Sequence, residues 1–144
     1  MIEYGAAVLG QVVGVLLWSF LNAAILLWRA RKLKSWTLRY KDGYVVSLKA
    51  GFIGVVFADA AVLAVAFSGT TSEDLLKYVG LLFGIVAWWF AHSSALLKLA
   101  GTSTPLTVKD ARAISASVFG YLFGALFALG LIVVVIIAIV SAIK

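Results

Sequence analysis

Four side chains in this sequence place a polar head in an apolar run: Gln11, Asn22, Asp59 and His92. Asp59 stands in GVVFADAAVLAVA, flanked by small residues. A carboxylate in such a run is costly, so it passes a proton or cation, pairs with a donor as inter-helix glue, or meets another subunit. Asn22, Gln11 and His92 are its expected partners. Trp18 and Trp88 each precede a polar residue by four positions, Asn22 and His92, which puts ring and polar group on one helix face. Gln11 lies outward of Asn22 on the same helix. The plain alternative is a packing stripe joined by inter-helix hydrogen bonds.

Catalytic chemistry is poorly provided for. There is one histidine and no cysteine, so a disulfide framework, a zinc-thiolate site and an iron–sulfur cluster are excluded. A haem held by His92 would need its second ligand from another copy, so no metal or cofactor is expected. No HExxH, P-loop or glycine-rich nucleotide fingerprint occurs. Ser93 and Ser94 adjoin His92 on the chain and cannot form a triad with it alone. An enzyme is not expected.

The elements that must position these groups follow from composition. The chain has 144 residues, 64% hydrophobic and 12% charged, with mean hydropathy +1.11. Soluble domains are nearer half apolar and about a quarter charged. The class is therefore an all-α integral membrane protein. A span needs about 20 apolar residues, and four stretches qualify: 4–28, 45–68, 75–97 and 118–143.

The cations set the orientation. Arg29, Arg31, Lys32, Lys34, Arg39, Lys41 and Lys49 lie in or beside the first connection, and Lys98, Lys109 and Arg112 in or beside the third. Only Lys77 and Lys144 fall on the other side. Basic connections face the cytoplasm, so both termini and the GTTSED turn are expected outside. The opening MIEYGAAVLGQ carries Glu3 where a signal peptide has cations, and its apolar run continues to a basic stop. The mature chain is expected to begin near Met1. A prokaryotic cell membrane is the expected location. One Asn, one Gln and no Cys fit a heat-adapted source.

Local signals mark the boundaries. Asp42-Gly43 is a turn dipeptide, which predicts that the first helix continues past the membrane and reverses there. Thr71 with Asp74, and Thr107 with Asp110 just after Pro105, predict capping boxes for the third and fourth helices.

The chain also repeats. Residues 10–30 and 80–100 align without a gap at an offset of 70, sharing Gly10/Gly80, Gly14/Gly84, Trp18/Trp88, Phe20/Phe90, Leu26/Leu96, Leu27/Leu97 and Ala30/Ala100. Sparser matches continue on that offset, among them Ser47/Ser117 and Gly54/Gly124. The reading is a tandem duplication of a hairpin, residues 1–70 and 71–144, forming one four-helix membrane domain. Each span carries a small-xxx-small motif: Gly10 and Gly14, Gly54 and Ala58, Gly80 and Gly84, Gly120 and Gly124. Such pairs let helix backbones meet in lipid.

The segment RARKLKSWTLRYK gathers Arg29, Arg31, Lys32, Lys34, Arg39 and Lys41 with aromatic neighbours. It reads as an orientation signal with an aromatic belt, and more sharply as a surface for anionic lipid headgroups. Nucleic acid is disfavoured, because the cluster is short and lies at the membrane.

In layout the chain resembles the proteolipids of rotary ATPase rings, which have outward termini, a polar cytoplasmic loop and a mid-membrane carboxylate where Asp59 stands. That resemblance implies ion movement at Asp59. The first helix here lacks that family's dense glycine run. The chain also resembles, again in layout, the two-helix pilins of conjugation pili, whose basic loop meets lipid headgroups. The expectation is a non-catalytic subunit of a homo-oligomer or larger membrane complex. The alternatives are a proton- or cation-translocating subunit using Asp59, or a small transporter or channel.

Overall fold

The computed structural model describes residues 2–69, 72–100 and 106–142. Four helices account for nearly all of them: α1 (Ile2–Lys34), α2 (Tyr40–Phe67), α3 (Glu73–Ala100) and α4 (Val108–Ala142). Each is long and apolar enough to cross a membrane. Each helix packs on its chain neighbours, and α4 closes against α1, so the four form a ring of seams.

The first reversal comes earlier than the Asp42-Gly43 dipeptide predicts. Helix α1 stops at Lys34 because Ser35 turns left-handed at φ 52°, and the Ser35 and Trp36 amides return to the Arg31 and Ala30 carbonyls. Asp42 and Gly43 instead belong to the first turns of α2. Asp42 accepts from the Arg39 guanidinium at 2.8 Å, a contact that holds that guanidinium above its ordinary pKa. Gly43 stands at a close approach of the two helices: a Cβ there would lie 2.6 Å from Leu27 Cδ1, the movable end of that side chain, and 3.7 Å from the Ala23 carbonyl oxygen. Gly43 is therefore where α1 and α2 come together.

The other ends are capped in ways short polar residues allow. Gly69, at φ +87°, ends α2, with its amide returning to the Ala66 carbonyl. Ser72 caps α3 through Leu75 N–H, at 3.4 Å; Thr71 lies outside the described residues. Thr107 and Asp110 form the reciprocal box at the start of α4: Asp110 N–H donates to Thr107 Oγ1 at 3.1 Å, and Thr107 N–H to Asp110 Oδ2 at 3.1 Å.

Apart from the α2–α3 seam, which stays close as far as Gly80 and Val62, the packing lies toward one end of the bundle. Buried residues fall within 15–30 of α1, 43–54 of α2, 80–100 of α3 and 111–122 of α4, and every residue from 123 to 141 is exposed. That end is the one carrying the basic connections. Its interior is built from Leu26, Val46, Ala50, Leu96, Ile114, Val118 and Leu122.

Burial recurs along the chain with a change of register. Asn22, Ala23, Leu26 and Ala30 in α1 match His92, Ser93, Leu96 and Ala100 in α3, each pair buried and 70 residues apart. In α2 and α4 the spacing is 68: Gly43/Ala111, Val46/Ile114, Ser47/Ser115, Ala50/Val118 and Gly54/Leu122 are all buried. Helix starts follow the same shift, Tyr40 against Val108. Ser47 and Ser115 thus occupy buried positions at this spacing, whereas Ser117 is half-buried.

Candidate functional site

Each helix contributes a fully buried polar side chain to the packed end: Ser19 and Asn22 from α1, Ser47 from α2, His92 from α3 and Ser115 from α4, none more than 1% exposed. Two of the serines are satisfied on their own helices. Ser19 Oγ donates to the Val15 carbonyl at 2.6 Å, and Ser47 Oγ to that of Gly43 at 2.9 Å. This back-bonding to the preceding turn is what lets serine sit in a helix interior.

His92 reaches across to α4. Its Nδ1 lies 2.8 Å from Ser115 Oγ, and its ring stacks on Trp88 with centroids 4.8 Å apart. The stack follows from the four-residue spacing, which places one ring over the other on the same face. His92 Nε2, Trp88 Nε1 and both amide atoms of Asn22 are buried with no hydrogen-bond partner among the described residues. Each such group costs about 1–3 kcal/mol when dry, so this interior carries a concentrated polar cost.

Beyond Trp88, toward the unpacked end, the helices part around a cavity of about 600 Å³. Its lining is almost wholly apolar; Trp18, Trp88 and Phe123 form part of the wall and Gln11 is the amide among them. The α2–α3 seam borders it and is closed by small residues. A Cβ on Gly54 would stand 3.1 Å from the Gly84 carbonyl oxygen, and one on Gly84 would stand 3.1 Å from Ala58 Cβ. One on Gly80 would meet Val62 Cγ2 at 2.8 Å. Gly10, Gly14, Gly120 and Gly124 have no such neighbour within 4 Å.

Asp59 sits elsewhere. It is exposed on α2 and accepts one hydrogen bond from Gln11 Nε2 at 3.3 Å. Of the four polar candidates, the structure joins Gln11 to Asp59; among the described residues no hydrogen bond links Asp59 to Asn22 or His92. No group of three His, Cys, Asp or Glu side chains among the described residues could hold a metal ion.

At the basic end, Lys34 pairs with Asp110 at 2.9 Å. Arg29 and Lys32 both sit over the Trp28 ring, and Arg112 sits over Trp89 and Phe90. Arg31 and Lys41 are exposed.

Sequence reasoning passed over Ser19 and Ser115, and met Ser47 only as a repeat match to Ser117. A serine that bonds its own helix leaves no trace in hydropathy. The recurrence of Ser47 as Ser115 is detectable only after the two-residue register shift. No family model, curated protein or solved structure matches this chain.

Proposed function

We propose that this polytopic membrane protein is a non-catalytic subunit of a homo-oligomer or larger assembly in a prokaryotic cell membrane. In this reading it is two similar hairpins, 1–70 and 71–144, with both termini outside and basic connections meeting anionic lipid inside. The observation that carries it is Asp59. An exposed carboxylate, nine residues from Ser68 and ten from Lys49 on α2, would face hydrocarbon with one amide as its partner in a lone chain. Exposure of that kind costs about 3 kcal/mol or more at mid-bilayer, and a neighbouring subunit removes it. The Ser115–His92 contact has the spacing of an activated nucleophile. Its complete burial and the absence of a partner on Nε2 favour an inter-helix clamp instead.

The test is native mass spectrometry of the full chain in lipid nanodiscs. Wild type should be oligomeric, and Asp59→Leu should shift it toward monomer. A monomeric wild type whose Asp59→Leu variant simply becomes more stable would overturn the reading. A second reading, proton or cation translocation, rests on the same exposed carboxylate. It requires Asp59→Asn to abolish ion flux in proteoliposomes while the oligomer persists; unchanged flux would eliminate it.

A further inference from the structure

Arg29 is half-buried at the seam of α1 and α4, and three contacts fix its guanidinium. Its Nε donates to Ser117 Oγ at 3.1 Å. Its Cζ lies 5.2 Å from the Trp28 ring centre and 5.0 Å from that of Tyr121. The two rings meet edge to face, 5.0 Å apart, which braces the aromatic frame. Ser117 is oriented too, since its hydroxyl donates to the Ile114 carbonyl at 2.9 Å and so turns a lone pair to Arg29.

The charge at this place is unbalanced. Lys32 Nζ stands over the same Trp28 ring at 5.2 Å. The ion pairs among the described residues involve Lys34, Arg39 and Lys77, and none reaches Arg29 or Lys32. Two cations thus converge on one indole without a carboxylate. With Nε committed to Ser117, the two terminal nitrogens of Arg29 remain as a planar pair of donors, a geometry that matches two phosphate oxygens.

Position selects the source of that phosphate. The apolar run of α1 ends at Trp28 and Arg29 opens the basic connection, so in the membrane-spanning reading Arg29 stands at the inner edge of a hydrocarbon core about 30 Å thick. Outward from Tyr121, α4 presents residues 123–141 uncovered and almost entirely apolar. A headgroup on Arg29 would have its chains beside that surface.

We infer that Arg29, fixed by Ser117, Trp28 and Tyr121 and joined by Lys32, is a seat for one phosphodiester group, that of an anionic phospholipid lying along the α1–α4 seam. The inference rests on the lipid-facing reading of the basic connection and narrows it to one side chain.

The full chain is placed in phosphatidylcholine nanodiscs doped with phosphatidylglycerol, and retained phosphatidylglycerol is read by native mass spectrometry. Wild type should retain one phosphatidylglycerol per chain. Arg29→Gln should weaken retention about tenfold, as expected for a lost charge-assisted pair. Arg29→Lys keeps charge and bulk and should weaken it about threefold, through loss of the planar fork. It also carries the test if Arg29→Gln does not fold. Lys41→Gln should change nothing. Soluble glycerol phosphate should not displace the lipid; displacement would overturn the choice of lipid over free phosphate. Wild-type retention in both Arg29 variants would overturn the seat. If retention then falls on neutralising Arg31, Lys32 and Lys34 together, the broader lipid contact stands; if it holds there too, both readings fall.

Discussion

Nδ1 of His92 and Oγ of Ser115 stand 2.8 Å apart in the buried interior, and this bond ties α3 to α4. The two residues lie 23 positions apart in sequence, so the contact depends on how α3 and α4 are set against each other. Ser115→Ala would leave both ring nitrogens of His92 without partners. We expect a loss of about 1 kcal/mol, the scale of inter-helix hydrogen bonds in membranes. In a double-mutant cycle with His92→Leu the two losses should fall short of additivity. Equilibrium unfolding in lipid checks this, and simple additivity would deny the coupling.

The glycines divide into two kinds. Gly54 and Gly84 face each other across α2 and α3 with backbone at 3.1–3.2 Å from an added Cβ, whereas Gly120 and Gly124 face open space. Gly54→Leu should destabilise the chain by about 1–3 kcal/mol through overpacking. Gly120→Leu and Gly124→Leu should stay within about 0.5 kcal/mol. Thermal unfolding of the monomer in detergent distinguishes them; a large loss in the α4 variants would mean that their face is already occupied.

Asn22 is buried with neither amide atom bonded. Leucine of similar size removes that cost, so Asn22→Leu should stabilise the isolated chain by about 1 kcal/mol. A lower melting temperature instead would reveal an amide partner supplied by water or by another subunit.

The four apolar helices were legible because composition and run length dominate everything else in this sequence. The Thr107–Asp110 box was legible because its two residues are close in sequence and chemically specific. Gly43 was not, since a Asp-Gly pair signals a turn equally well when the glycine is there to admit Leu27. The surface position of Asp59 was equally hidden. A nearly uniform apolar helix gives no periodicity to say which face turns inward, and flanking alanines fit either face. The 68-residue spacing of burial between α2 and α4 was not visible in the ungapped alignment, because membrane segments match one another at several registers.

Helix α4 runs for 35 residues, about 52 Å at 1.5 Å per residue, against a hydrocarbon thickness of about 30 Å. Its first turns are anchored by Lys34, Arg29 and the aromatic rings, while positions 123–141 are all exposed. A stretch longer than the hydrocarbon is thick is accommodated by tilt of the whole helix, by a kink or by local thickening of the bilayer.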